Sequence, residues 1–306
     1  MAKNTDADKI SREENLVQNE KERVRANRKQ FIRVFFGRGL LSKICFIILC
    51  VFILAALLCS VLTPYTPYQQ SPADMLQGPS AKHWLGTDNL GRDLFTRTIY
   101  GARISLSTGV LSSLWALVIG VVLGLIAGYF GGWVGGLIMR VVDAQLSIPP
   151  LILTMCLAAI FGGTIFSISL IIGISSVPGY VRMINGQVLS LRENDYIVAA
   201  GLVGQNQIKI MFKHLLPNCF ATIIVMFSGG VGAAVMLEAA MAYLGIGITA
   251  PTPAWGTMVS EGYQFLLFKP MLAIVPGIAL MLLIITLSIV GDGLRDALDP
   301  RLRGKL

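Results

Sequence analysis

Few residues of this chain belong to the types that carry out chemistry. Histidine occurs only as His83 and His214, and the five cysteines show neither CxxC pairing nor a neighbouring histidine cluster. The motif GxxxxGK[ST], whose backbone amides cradle nucleotide phosphates, is absent, and the only Gly-Lys pair, Gly304-Lys305, is followed by Leu306. The sequence therefore predicts no catalytic site, no metal site and no cofactor bound to this chain.

Two further polar features lie within or beside apolar runs. Glu238 is a single carboxylate in a long apolar segment, where a charge is costly unless it is paired, solvated or protonated. We expect it to bond to a polar group of a neighbouring helix, in preference to contacting a substrate directly. Arg140 and Asp143 are three residues apart, a spacing at which helical side chains can form an ion pair.

The composition places these residues in a membrane protein. Of the 306 residues 54% are hydrophobic and 14% charged, far from the average of soluble domains. The net charge of +8 arises from basic residues at the ends of apolar runs, which indicates membrane orientation and not nucleic-acid binding. Trp133, Trp255 and Tyr263, where runs meet loops, suggest interfacial anchors.

Six transmembrane helices are expected, over residues 44–62, 104–130, 146–161, 165–181, 219–244 and 271–290, which makes the fold all-α. The first follows a charged tail, residues 1–43, too long for a signal peptide, so we expect it to be retained. Gly120, Gly124 and Gly128 place small residues on one face of the second helix, an arrangement suited to close helix packing. Residues 63–103 form the longest loop, and residues 292–306 a final tail.

Charge decides the expected orientation, because an even number of spans puts both termini on one side. All but five of the 25 basic residues then fall on that side, the exceptions being Lys82, Arg92, Arg97, Arg103 and Lys269. By the positive-inside rule both termini are cytoplasmic in the cell membrane, and loop 63–103 is extracytoplasmic.

A polar segment, residues 194–218, interrupts the apolar spans on the cytoplasmic side. Ala199 and Ala200 lie in an expected short helix that Gly204 ends, and residues 205–214 can form a second helix before Pro217. Two alanines allow another backbone to approach closely, so this segment has the properties of a docking surface.

These residues resemble the EAA loop of the membrane subunits of ATP-binding-cassette importers. The family pattern is Glu-Ala-Ala, three residues, Gly, nine residues, and a tetrapeptide ending in Pro, and five positions match it. Val198 stands at the usual glutamate position, for which nearby Asp195 is a conceivable substitute. The resemblance implies a cytoplasmic coupling loop over residues 185–218 that moves with a partner ATPase, and its expected contact residues are Asp195, Tyr196, Ala199, Ala200, Gly204, His214 and Pro217.

The resemblance continues along the chain in LGTDNLGRD, GARISL, MRVVDAQLSIPPL, LEAAMAYLGIG, PTPAWG and GDGLRDALDP. These segments are similar to those of the second permease subunit of dipeptide, oligopeptide and nickel importers. The implied fold is a type I importer transmembrane domain over residues 104–291, and the implied partners are a sister permease, two ATPase subunits that bind ATP and Mg²⁺, and an extracytoplasmic binding protein. Candidate residues for docking that protein, by position, are Gly86, Asp88, Arg92, Asp93 and Trp255.

Other functions stay open from the sequence alone. The resemblance makes di- and oligopeptides the expected substrates, and nickel complexes, glutathione or other small solutes carried by similar subunits are the alternatives. A secondary transporter would be expected to show inverted repeats and several intramembrane ion-coupling residues, and we find one acid and no clear repeat. A membrane enzyme would need a reactive constellation, which the residue types do not provide.

Overall fold

The structure is a computed structural model that describes residues 35 and 39–298. The expectations for the tails therefore lie almost entirely outside the described residues. The described part is helical, and its helices are α1 Leu40–Leu57, α2 Cys59–Leu62, α3 Leu94–Phe130, α4 Gly132–Leu146, α5 Pro150–Phe161, α6 Ile165–Arg192, α7 Asp195–Leu202, α8 Gln207–Tyr243, α9 Trp255–Tyr263 and α10 Met271–Leu298.

Helices α3 and α6 form the central pair of the molecule. A side chain added at Gly120, Gly124 or Gly128 would meet Tyr180, Ile184 or Val188 at less than 3 Å, in that order along both helices. The glycines thus allow the two backbones to approach closely, as the small-residue strip predicts. The rising order of both sets of numbers shows that α3 and α6 run parallel.

This parallel pairing determines the path between the two helices. Arg192 Nη1 donates to the Gly128 carbonyl at 3.1 Å, so α3 and α6 end on the same side, and the chain must return across the membrane between them. Helices α4 and α5 make that return as one span bent by 89°, which brings the number of crossings to six. The span expected over 146–161 therefore begins earlier, at Gly132, and it bends where Pro149 and Pro150 interrupt the helix.

The ion pair expected at this bend also differs. Asp143 accepts a hydrogen bond from Arg182 Nη2 of α6 at 2.5 Å, in place of the expected pair with Arg140. Both side chains of the observed pair are about half exposed, so its contribution to stability is small. The pair links the C-terminal end of α4 to α6.

Several helices extend beyond the lipid-sized runs seen in the sequence. Helix α3 begins at Leu94, where the Asp93 carboxylate accepts a hydrogen bond from the Thr96 amide at 2.8 Å and caps the helix. Helix α8 begins at Gln207, so the second short helix expected over 205–214 is in fact the first part of the fifth span. Helix α9, in the loop after α8, was not expected from the sequence.

Candidate functional site

The polar segment between α6 and α8 folds as a short helix and a sharp turn. Helix α7 ends in a Schellman motif, in which the Gln205 amide donates to the Ala200 carbonyl and the Gly204 amide to the Gly201 carbonyl. Gly204 has φ of 76°, a left-handed conformation that favours glycine, and this confirms the predicted helix stop. The turn therefore fixes the direction of α7 relative to α8.

Side-chain hydrogen bonds hold the two arms of this turn together. His214 lies 3.0 Å from Gln205 Oε1 through its Nε2, and Asn218 donates to the His214 carbonyl at 2.6 Å and to the Tyr196 hydroxyl at 3.4 Å. Met211–Leu215 form a π-helical turn, a widening of the helix that is frequent at functional positions. The predicted residues Tyr196 and His214 are thus joined through Asn218, which the sequence reasoning did not single out.

The inner face of the segment is anchored in the apolar core. Ile197 of α7 and Ile210, Met211 and Leu215 of α8 are all at most 5% exposed. They pack with buried residues of α3 and α6, among them Leu125, Ile184 and Val188. A displacement of α7 must therefore be accommodated by movement of these spans, because a close-packed core has no free space to absorb it.

The outer face of the same segment is apolar but uncovered. Val198 is 49% exposed, Leu202 84%, Val203 88% and Ile208 64%. One side of α7 carries Asp195, Val198 and Leu202, as their helical spacing requires.

The other predicted residues differ in exposure. Tyr196, Ala199, Gly204 and Pro217 are exposed, and Ala200 and His214 are half-buried. We define the coupling surface as Val198, Leu202, Val203 and Ile208. The predicted contact residues did not include Leu202, Val203 and Ile208, because in a sequence an exposed apolar residue cannot be told from a core residue.

At the opposite end of the helices, two buried arginines form ion pairs that connect the start of α3 and the loop before it to helix α9. Arg92 Nε lies 2.6 Å from Asp88 Oδ2, and both Arg92 and Arg97 reach Glu261 Oε2 of α9, at 3.3 and 3.6 Å. Arg92 is 2% exposed and Asp88 7%. Gly86 has φ of 83°, and a Cβ there would lie 2.5 Å from the Gln77 carbonyl oxygen. These residues stabilise the conformation of the loop. The expectation that the Arg92 and Asp88 side chains contact the binding protein directly is therefore wrong, because both are buried.

Trp255 is likewise internal. Its side chain is 1% exposed, its Nε1 donates to the Thr98 carbonyl at 2.9 Å, and its ring meets that of Phe52 edge to face at 5.4 Å. The expected roles of Trp255 as an interfacial anchor and as a docking residue are both wrong, because α9 folds over α3 and encloses the indole. Trp133 and Tyr263 are exposed, at 80% and 57%.

A second polar cluster in loop 63–103 surrounds His83. Its Nδ1 lies 2.8 Å from Asp93 Oδ1, so one carboxylate serves both the histidine and the cap of α3, and Tyr65 stacks on the imidazole at 5.1 Å. Asp93 is 5% exposed, which places it inside this cluster and not on a docking surface. Lys82 Nζ bonds to Asp74 at 2.7 Å and, with the Ser71 hydroxyl, lowers the pKa of that carboxyl to about 2.

Glu238, a residue of α8, is completely buried. Its residue exposure is 0%, and neither carboxylate oxygen has a hydrogen-bond partner among residues 39–298. The expected bond to a polar group of a neighbouring helix is therefore wrong for the described part of the chain. Ala234 and Met241, one turn away on either side, pack in a cluster with Ile168 and Ile172. No group of three or more metal-binding side chains occurs within the described residues.

Comparison with known families accounts for this architecture. Residues 120–304 match the family described as binding-protein-dependent transport system inner membrane component. The chain belongs to this family. Residues 38–79 match the N-terminal transmembrane domain of oligopeptide transport permease C, a segment that includes α1 and α2. The chain is thus a permease component of an ATP-binding-cassette importer, as its motifs indicate.

Individual relatives of this permease family cover most of the chain. The dipeptide transport system permease DppC of Alkalihalophilus pseudofirmus is 43% identical over 84% of both chains. The di/tripeptide permease DppC of Pseudomonas aeruginosa is 38% identical over 90% of this chain and 92% of its own. The glutathione permease GsiD of Pectobacterium atrosepticum is 37% identical over 79% of this chain and 81% of its own.

The fold is also found in a solved transporter. A chain of the inward-facing MetNI methionine ABC transporter superposes with a TM-score of 0.53 at 19% identity, covering 66% of this chain and 96% of that chain. At this identity the likeness concerns the fold alone, which is that of a type I importer transmembrane domain. The permease core expected from the sequence is therefore confirmed as a fold.

Proposed function

We propose that this permease subunit forms half of a translocation pathway for small peptides and is driven by ATPase subunits that dock on the coupling surface. The main support is that the segment after α6 has one exposed apolar face and one buried face. One side exposes Val198, Leu202 and Val203, and the other buries Ile197 and Ile210 against the spans. Exposed apolar patches of this kind mark protein interfaces.

The docked segment would act as a lever. A partner ATPase pair that closes on ATP and Mg²⁺ would displace α7, and the buried contacts of Ile197 and Ile210 would pass that displacement to α3 and α6. Conformations can be switched only by contacts that differ between the two states, so the ATPase must grip this surface more tightly in one of them. Catalysis then belongs to the ATPase subunits, and this chain is a non-catalytic subunit.

The proposed assembly contains this chain, a sister permease, two ATPase subunits and a binding protein. Both termini and the coupling surface are cytoplasmic, consistent with the distribution of basic residues. The opposite, extracytoplasmic end would receive the binding protein. Because Arg92, Asp93 and Trp255 are buried, docking there would use exposed neighbours in the same loop, such as Trp84 at 61% and Leu90 at 38% exposed.

Peptides are the proposed substrates because the relatives named above are dipeptide, di/tripeptide and glutathione permeases, and glutathione is itself a tripeptide. Nickel complexes are the alternative that the motifs left open. Selection among solutes would rest largely on the binding protein. Calorimetric titration of that protein with a peptide and metal panel would decide the substrate, and binding of nickel without peptide would overturn the peptide assignment.

The docking role can be tested with a double substitution on the coupling surface. Leu202→Asp with Val203→Asp places charges where the partner must bury apolar groups, yet both residues are more than four-fifths exposed, so folding should be unaffected. We expect the variant to reach the membrane in normal amounts and to lose most of the co-purifying ATPase.

A matched control lies at the other end of the molecule. Leu267 is 91% exposed in the loop between α9 and α10, so Leu267→Asp changes the same chemistry away from the proposed dock. This variant should retain the ATPase. Equal retention in the double variant and the control would contradict the assignment of the coupling surface.

A further inference from the structure

A lateral groove in the transmembrane region has no role in the mechanism above. It lies between α1, α3, α8 and α10, has a volume of about 650 Å³, and is lined almost entirely by apolar side chains such as Ile53, Leu106 and Val231. In a bilayer such a space is filled by hydrocarbon, because water finds too few polar partners there.

A basic side chain, Arg103, lies at one end of this groove. Arg103 lines it together with Leu57, the last residue of α1, and its Nη1 lies 3.9 Å from Cys59 Sγ. Arg103 is exposed, and among the described residues no carboxylate lies within ion-pair distance of it. An arginine at this level of a span, with its stem along apolar surface, is placed to meet a lipid phosphate.

The length of the groove indicates which occupant it fits. Its lining runs for about 12 Å along α1, from Leu49 to Leu57, and continues along α10 from Leu287 to Leu294, so the groove is long enough to hold an acyl chain. At this end, near Leu294, Phe35 lies between α1 and α10, since its ring packs on Phe46 and beside Gly293. One basic side chain at the end of an otherwise mostly apolar lining matches the phosphate and the acyl chain of a lipid.

We propose that this groove binds an anionic phospholipid, with an acyl chain between α1 and α3 and the phosphate on Arg103. The lipid would fill the gap between α1 and the remaining spans, and α1 would keep its position through it. The site is independent of the coupling surface, so the two proposals succeed or fail separately.

Native mass spectrometry of the detergent-purified transporter tests this proposal. The protein is incubated with equal amounts of phosphatidylglycerol and phosphatidylcholine, and retained lipid is counted. We expect one retained lipid and a preference of about fivefold for phosphatidylglycerol, the equivalent of about 1 kcal/mol for one basic residue at an anionic lipid. Arg103→Gln should abolish the preference, whereas Lys269→Gln, which removes another cation outside the groove, should preserve it.

A second pair of variants tests the groove itself. Val110 lines it at 41% exposure, and Val118 lies two turns further along α3, outside the lining, at 48% exposure. Val110→Trp should displace the lipid and Val118→Trp should not. Unchanged retention in Val110→Trp, or no lipid preference in the unaltered protein, would overturn the proposal. Loss of the sister permease from Val110→Trp with lipid still bound would also overturn it and would assign the groove to a protein interface.

Discussion

The carboxyl group of Asp74 offers a pH-dependent measure of how loop 63–103 is held. Its pKa is lowered to about 2, first by the hydrogen bond from Lys82 and then by that from Ser71. Because an unfolded aspartate titrates near pH 4, the stabilisation from this group is complete above about pH 4 and is lost as the pH falls toward about 2.

Asp74→Asn removes the titration and serves as the comparison. We expect the difference in thermal unfolding midpoint between the unaltered protein and Asp74→Asn to be constant from about pH 8 to about pH 5 and to shrink between about pH 4 and about pH 2. The pair with Lys82 lies at the surface, so the difference itself will be small. A difference that grows on acidification would show that Asp74 is not stabilised in its charged form.

Individual residues also show which local features could be predicted from the sequence and which could not. The helix stop at Gly204 follows from local backbone preference, and the loop containing Tyr196 and His214 follows from spacing, so both were predictable. The partner of Asp143 lies 39 residues away, on a helix whose packing direction no local pattern reveals. Trp255 was misplaced for the same reason, because its burial depends on how α9 folds over α3.

At the scale of the element, the turn between α7 and α8 depends on the backbone conformation of Gly204. Gly204→Val forces a β-branched residue into the left-handed region, at a cost of about 1–2 kcal/mol. That is a factor of 5–30 in the population of the docked geometry, on the order of the loss we expect in ATP-driven uptake by proteoliposomes.

Gly201 provides the matched control within the same helix. It has ordinary helical geometry and open space around its Cα, so Gly201→Val adds the same side chain without the strained backbone. Uptake should stay near normal in this variant. If both valine variants lose uptake equally, added bulk beside the coupling surface, and not the angle set by Gly204, controls coupling.

At the scale of the whole molecule, the parallel pairing of α3 and α6 organises everything else. It requires the bent return through α4 and α5, and it places the buried side of the coupling segment against the ends of both helices. The sequence indicated the glycine face of α3, since a repeat of small residues is visible locally. The partner helix and its direction were not visible, because they depend on contacts between residues about 60 positions apart, such as Gly124 and Ile184.

This central packing predicts the largest loss of stability. A Cβ at Gly124 would lie 2.8 Å from Ile184 Cβ and 3.0 Å from the Val181 carbonyl oxygen, so Gly124→Leu must push α3 and α6 apart, at a cost of about 1–3 kcal/mol or more. Gly136→Leu adds the same side chain to α4, where the space is open. We expect the thermal unfolding midpoint in detergent to fall for Gly124→Leu alone, with a parallel loss of ATPase binding, because the coupling segment rests on both helices. Equal midpoints for the two variants would show that the close approach at Gly124 is not what holds the helices together.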